Sequence, residues 1–489
     1  MEAHPLAVYD VAGVRQLEKA ACEDEGIASF ELMLRAGAAA FSALTRRWPQ
    51  ARRVVVVCGS GSNGGDGYVL ARLARADDRE VVVIQVGNPS AEGDAALAWA
   101  ALGAAQVPVE RTFDALATAD VVVDALFGIG LNRPLAGPAH AAVEAINAAA
   151  CPCLSLDVPS GLNSETGVAA GIAVCAAVTV TFIAHKMGLL TGEACDYVGT
   201  LELETLGISS VVLNGLAPRA HRRCWADWPL IRRPRPRSAH KGRHGHVLIV
   251  GGAAGTGGAV RLAAEAALRT GAGLVSVATA PGMTGIVTGG RPEIMAHVVE
   301  TPDDLVALLA RASVVAVGPG LGQSAWAFDL WAAVRDCRQP LVVDADALNF
   351  LAADRSARPD WVLTPHPGEA ARLLGVPNAG VIGRDRYGAV AELQRLYDGT
   401  VLLKGAGTLV QSASALTVIG GGNPGMATAG MGDVLTGVVA ALIAQGHALP
   451  VAAAAGAALH AAAGDEAALA GERGLVAGDL MPCLRRLMN

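Results

Sequence analysis

A chain of 489 residues is too long for one ordinary hydrophobic core, and two domains are expected. Apolar residues make up 52% and charged residues 17%, with 59 glycines and only 4% aromatics, which argues against disorder and an all-β chain and suits tightly packed helices on parallel strands. The net charge of −7 supplies no field that draws the chain to nucleic acid or an anionic membrane, so small-molecule chemistry is the default.

The N-terminus, Met1 to Asp10, lacks the basic and apolar regions of a secretory signal. The first β-branched run, Val54 to Val57, leads directly into Cys58-Gly-Ser-Gly-Ser-Asn-Gly-Gly-Asp-Gly67. Glycines at a strand-to-helix turn let the backbone bend sharply and approach a phosphate. The second run, Val81 to Val86, ends in Gln85-Val-Gly-Asn88 without the acid that a plain dinucleotide fold places there. Two further strands, Val121 to Val123 and Leu154 to Leu156, run out into Asp124-Ala-Leu-Phe-Gly-Ile-Gly-Leu-Asn-Arg-Pro134 and Asp157-Val-Pro-Ser-Gly161, and Val178 to Phe182 follows. All three motifs fall at carboxyl ends of strands, where open α/β sheets bind ligands. Asp157, ending a buried strand, is the best-placed carboxylate for proton transfer, with Lys186 of Ala-His-Lys-Met-Gly as a second candidate. A turn or helix cap is the plain alternative for each aspartate.

With these motifs in place, residues 8 to 215 resemble the N-terminal epimerase domain of the NAD(P)H-hydrate repair enzymes. The resemblance implies a Rossmann-like doubly wound sheet that interconverts the R and S forms of hydrated NADH or NADPH. It implies that Ser62, Asn63, Gly64, Gly65 and Asp66, then Gly128, Ile129, Gly130, Leu131, Asn132, Arg133 and Pro134, cradle the hydrate together with Asp157. It further implies a potassium ion on Asn63, Asp124 and Ser160, an oxygen-only donor set suited to a hard cation. The chain departs from the family pattern at Ser62, where a second Asn is usual, and at Leu34, where a Glu is usual.

From Arg222 to Arg243 eight basic residues face one acid, Asp227, among Pro229, Pro234 and Pro236, and the expected reading is a solvated inter-domain linker with the boundary near residue 220. Beyond it strand and helix alternate again, at Val247 to Val250, Leu274 to Ala278, Val314 to Val317, Leu341 to Val343, Trp361 to Leu363 and Val401 to Leu403. No residue-level repeat links the halves. Gly251-Gly-Ala-Ala-Gly-Thr-Gly-Gly258 lacks the Lys-Ser/Thr of a P-loop, which excludes a Walker NTPase. More specific are Gly318-Pro-Gly-Leu-Gly322, Thr364-Pro-His-Pro-Gly-Glu369, Leu403-Lys-Gly-Ala-Gly-Thr408 and Gly430-Met-Gly-Asp433, the last opening a helix whose amides suit a transferring phosphoryl group. An aspartate there, Asp433, can take the proton of an attacking hydroxyl. Val438 to Ala463 is apolar but broken by Gln445, His447, Pro450 and His460, and reads as two packed helices.

These motifs resemble the ribokinase-like kinases and, within them, the ADP- or ATP-dependent NAD(P)H-hydrate dehydratases over residues 225 to 489. The resemblance implies an α/β/α domain in which Lys404, Gly405, Ala406, Gly407, Thr408 and Gly432 hold the adenine nucleotide with Mg2+. Ala259, Gly320, Gly322, His366 and Asp433 would then face the S form of the hydrate. A domain pair of 1–220 and 221–489, a homo-oligomer, no nucleic-acid or membrane partner, and a cytoplasmic setting for nine scattered cysteines complete the expectation. The competing reading is a vitamin-type kinase carrying an N-terminal nucleotide-binding module.

Overall fold

The computed structural model describes residues 6–131 and 133–489; Asn132, expected in the hydrate-binding loop, lies outside the described residues. The chain divides into two compact α/β units, one ending at His221 and one running from Arg222 to Asn489.

In the N-terminal unit the valine-rich runs form the middle of a seven-stranded parallel sheet in the order Val109–Glu110, Glu80–Gln85, Arg53–Cys58, Val121–Ala125, Cys153–Leu156, Val178–Phe182, Thr200–Glu204. Strand side chains alternate between faces, and both faces are covered here. Val54, Val56 and Cys58 enter one core with residues of helices Ser29–Arg47 and Ser62–Ala76. Val55 and Val57 enter another with Ala142, Val143 and Ile146 of helix Pro138–Ala148. The strand order reverses between Arg53–Cys58 and Val121–Ala125, and the carboxyl ends of those two strands form the ligand crevice of a doubly wound sheet.

The C-terminal unit repeats this order on a different sequence. Its strands run Met295–Val298, Leu274–Thr279, His246–Val250, Val314–Val317, Leu341–Val343, Trp361–Leu363, Thr400–Leu403, all parallel, then Leu409–Gln411 and Leu416–Ile419 as an antiparallel edge. The apolar stretch read as two helices forms Met431–Ala444 and Leu449–Ala467, both buried in the core with helix Gly257–Thr270. Among the described residues no single helix is long and apolar enough to cross a membrane.

The basic seam is not the solvated linker expected from its charge. Trp225 is buried, with its indole N–H on the Leu487 carbonyl at 3.1 Å, and the Arg232 guanidinium lies over its ring at 5.6 Å. Arg235 donates to the Gln445 side chain at 2.8 Å. Aromatic and planar guanidinium surfaces anchor the segment to the C-terminal unit, and Arg233, Arg235, Arg237, Lys241 and Arg243 form an exposed charged edge.

Small residues allow the C-terminal helices to touch. A Cβ on Gly437 would stand 2.0 Å from the Ala263 carbonyl oxygen of the facing helix. Gly437→Ala is therefore expected to destabilise the C-terminal unit by about 1–3 kcal/mol, the usual cost of overpacking. Thermal unfolding of the full chain checks this, and an unchanged transition would contradict the close approach.

Candidate active sites

In the N-terminal unit the loops after the first and fourth strands of the sheet are forced together. A Cβ on Gly59 would stand 2.1 Å from the Leu126 carbonyl, and one on Gly64 would stand 2.2 Å from the Gly59 carbonyl, so these two glycines serve backbone packing at the crevice. Helix Ser62–Ala76 starts there with no described side chain capping it, which leaves its first amides facing a cleft of about 430 Å³. Ser62, Asn63, Asp66, Gly128 to Leu131, Asp157 and Lys186 line that cleft. Gly64 and Gly65 are buried behind it, and Arg133 and Pro134 follow on the exposed part of their loop.

Asp157 sits in the left-handed region at φ 64°, a strained setting for a residue with a Cβ that turns its carboxylate out of the sheet edge. Its Oδ1 pairs with the Lys186 ammonium and accepts the Phe182 amide at 3.3 Å. Lys186 is 1% exposed and also donates to Thr181 Oγ1 at 2.9 Å and the Phe182 carbonyl at 2.6 Å, so all three donors of the ammonium are used. Burial, reinforced by the Asp157 and Glu18 charges and opposed by Lys186, pushes the Asp66 carboxyl well above the usual carboxylate range. The cleft thus holds one Lys–Asp pair and one acid whose charged form its surroundings disfavour.

Behind it, Asp124 is fully buried at the end of its strand and accepts Ser160 N at 2.8 Å, Ser160 Oγ at 2.6 Å, Ser155 Oγ at 2.9 Å and Leu126 N at 3.3 Å. All four donors are neutral, and burial raises its pKa against them. Asn63 is buried with neither side-chain polar atom partnered among the described residues. Sequence reasoning missed Arg15, Glu18, Met33 and Asp94, which also line the cleft; Arg15 and Glu18 come from a helix whose pattern is that of any amphipathic surface helix. Leu34, in place of a family Glu, packs against the apolar core.

In the C-terminal unit the glycine loops again meet across the reversal point: Gly252 N bonds the Pro319 carbonyl at 3.1 Å, and Thr256 Oγ1 bonds the Gly320 carbonyl at 2.7 Å. Gly322 N is held by Asp346 at 2.7 Å, and Ala259 is half-buried in the adjoining helix. At the ends of the next strands Lys404 bonds Asp344 Oδ1 at 2.8 Å and lies 3.7 Å from Glu369 Oε2. Against desolvation, which would lower it, those two carboxylates hold the ammonium above its ordinary pKa. A Cβ on Gly432 would stand 3.4 Å from Lys404 Nζ, so the cation lies against the N-terminus of helix Met431–Ala444, which no described side chain caps. Asp433 follows in the first turn. Burial, then the Asp344 charge, pushes its carboxyl up to about 7, with Lys404 opposing.

Gly405 to Thr408 form a loop after strand Thr400–Leu403, closed by Thr408 Oγ1 on the Gly405 carbonyl at 2.9 Å. Buried Arg386, also missed from the sequence, donates to the Lys404 carbonyl at 3.2 Å beneath it. His366 has a structural employment: its Nδ1 accepts Gly368 N at 2.9 Å and Glu369 N at 3.3 Å, while Glu369 returns to His366 N at 2.7 Å, a reciprocal cap on helix Pro367–Leu374. Among the described residues no group of three or more His, Cys, Asp or Glu side chains is arranged to hold a metal ion.

The fold and the two sites define a two-domain α/β enzyme that puts small-molecule chemistry on the carboxyl edges of two parallel sheets. Residues 247–485 match the family described as NAD(P)H-hydrate dehydratase, and residues 29–188 match that described as YjeF-related protein N-terminus. The chain is 48% identical over 487 residues to the bifunctional NAD(P)H-hydrate repair enzyme Nnr of Coxiella burnetii, covering 99% of both chains. It is 42% identical over 489 residues to the enzyme of the same name in Escherichia coli, covering 99% of this chain and 94% of that one. A solved hypothetical protein of Streptococcus mutans is 31% identical with a TM-score of 0.50 over 53% of this chain and 95% of its own. The chain belongs to the family of bifunctional NAD(P)H-hydrate repair enzymes.

The cap on helix Pro367–Leu374 separates structure from chemistry at His366. His366→Ala is expected to cost about 1 kcal/mol of stability, and His366→Asn, which preserves a capping acceptor, to recover most of it. Denaturant melts of the full chain measure this; equal loss in both variants would show that the ring and not the cap matters.

Proposed function

We propose that residues 1–220 epimerise the R and S forms of hydrated NADH or NADPH, and that residues 221–489 dehydrate the S form with ADP or ATP as phosphoryl donor. The observation that carries this reading is the pairing of family membership over 99% of the chain with a base poised near neutrality, Asp433, beside a cationic Lys404 at an uncapped helix N-terminus. The full-length relatives favour this reading over a vitamin-type kinase carrying an N-terminal nucleotide-binding module.

In the first unit, Ser62 to Asp66 and Gly128 to Pro134 would cradle the dinucleotide, while Asp157 and Lys186 move the proton at the hydrated carbon. A potassium ion fits Asn63, Asp124 and Ser160: the Asn63 amide has no described partner, and the Asp124 carboxylate is buried among neutral donors. Such an ion supplies fixed positive charge under the cleft; orientation and proton transfer belong to the chain's own groups.

In the second unit, Lys404 to Thr408 and Gly432 would hold the nucleotide phosphates, with Ala259, Gly320, Gly322 and His366 lining the hydrate side. Mg2+ suits a site of this kind as a companion of the nucleotide phosphates, since it is commonly held by substrate oxygens rather than by an all-protein cage. Asp433 takes the hydroxyl proton as the hydrate oxygen attacks the terminal phosphorus and the bond to the shortened nucleotide breaks. Loss of the new phosphate together with the neighbouring carbon's proton restores the ring's double bond. The reading extends to a cytoplasmic homo-oligomer.

Incubation of the purified chain with hydrated NADH and ADP is expected to restore dihydronicotinamide absorbance only when nucleotide is present. Asp433→Asn is expected to cut that rate by about a hundredfold or more while the epimers still equilibrate. The wild-type rate should fall as pH drops through about 7, because a base whose pKa is raised is lost to protonation there. Asp157→Ala should dehydrate a mixed hydrate only until the usable epimer is consumed. A progress curve like the parent's, at enzyme concentrations that outrun spontaneous exchange, would remove Asp157 from the mechanism.

A further inference from the structure

Asp344 ends strand Leu341–Val343 and occupies the N-cap position of helix Ala345–Ala353, where an aspartate ordinarily accepts amides of the first turn. It does not do so. Its 1%-exposed carboxylate is turned away from its own helix: Oδ1 accepts Lys404 Nζ at 2.8 Å and Oδ2 accepts Thr436 Oγ1 at 2.8 Å, so one group ties a strand end to the helix that carries Asp433. The backbone there is strained, with Ala345 at φ 47°, a region that alanine rarely adopts. A Cβ on Gly432 would stand 3.8 Å from Asp344 Oδ2 and 3.4 Å from Lys404 Nζ, which puts both charges beside the residue preceding Asp433. A withheld cap and a strained turn are costs that helix stability alone does not explain.

We infer that Asp344 is a positioning residue of the phosphoryl-transfer site, holding Lys404 against the Gly432 backbone and governing by its charge when Asp433 is free to accept the substrate proton. The inference rests on the proposed roles of Asp433 and Lys404. Around Asp433, the strand ends contribute Asp344 and Lys404, and helix Pro367–Leu374 contributes Glu369 and His366, which face Lys404. From helix Leu449–Ala467 comes His460, which burial pushes down to about 4 and so leaves uncharged. Asp344 is thus the anion, and Lys404 the cation, that act directly on Asp433. Removing the anion lowers the pKa of Asp433, and removing the cation raises it.

The test is the pH profile of nucleotide-dependent dehydration by the full chain. Wild-type enzyme without an acid limb near pH 7 would refute the reading of Asp433 itself. With that limb present, Asp344→Asn is expected to move it down by about one pH unit, on the scale of a close charge interaction, and to weaken ADP binding, measured by calorimetry, because Lys404 loses its tether. Asp344→Glu, which keeps the charge, should keep the limb near 7 even if kcat falls. Lys404→Met should move the limb upward, a displacement opposite in sign that also serves if Asp344→Asn does not fold. A limb that stays in place in both Asp344→Asn and Lys404→Met would overturn the inference, as would equal shifts in Asp344→Asn and Asp344→Glu.

Discussion

Parallel strands buried on both faces end together at one edge of the sheet, and every candidate group in this chain depends on that constraint. Where the strand order reverses, consecutive connections leave in opposite directions and a crevice opens at the carboxyl ends. Each unit then closes the floor of its crevice with backbone: Gly59 against the Leu126 carbonyl in one, Gly252 N on the Pro319 carbonyl in the other. Side chains that end the central strands have little choice but to point into the space left. Asp124, Asp157, Asp344 and Lys404 all occupy such positions.

The two units answer the cost of burying charge differently. In the N-terminal unit the buried Lys186 is committed to Asp157, Thr181 and Phe182, and its pair with Asp157 sits at the wall of the cleft. Burial, then the Asp157 and Glu18 charges, pushes the neighbouring Asp66 carboxyl well above the usual carboxylate range, with Lys186 opposing. One unit thereby places two acids of different surroundings in a single cleft, Asp157 beside an ammonium and Asp66 under burial. The C-terminal unit shares one ammonium between Asp344 and Glu369, and burial, then the Asp344 charge, raises the pKa of Asp433 to about 7 against the opposing Lys404. Such a base is half ionised near neutrality and still basic enough to accept a proton.

The central strands were legible because a strand buried on both faces must be apolar along its whole length, and runs such as Val54 to Val57 and Val314 to Val317 have no other reading once glycine turns follow. Short or polar strands away from the sheet centres escaped: Thr200–Glu204 alternates acids, and Leu409–Gln411 is only 3 residues long. Asp433 was visible because a glycine pair announces its helix. Asp344 was not, since Val-Val-Asp-Ala-Asp-Ala shows two acids in alternation and its partners lie 60 and 92 positions downstream. The seam misled for a related reason. Arginine reads as solvated charge in a sequence, yet its planar guanidinium stacked on Trp225 and Trp228 anchors the chain to its own domain.

Helices in this chain differ in what meets their first amides. Asp10, Ser324, Asn378, Asp385 and His366 meet the first amides of their helices with a side chain, while helices such as Ser29–Arg47 and Pro138–Ala148 have no side-chain cap. Helices Ser62–Ala76 and Met431–Ala444 begin at glycine with no described side-chain cap, and both begin at a crevice where an anion can take the place of the missing acceptor. Asp344 is the informative intermediate: it has the residue type and the position of a cap, and its carboxylate serves Lys404 and Thr436 instead. An acceptor turned away from its own helix serves another group, and here that group is the lysine beside the first turn of helix Met431–Ala444.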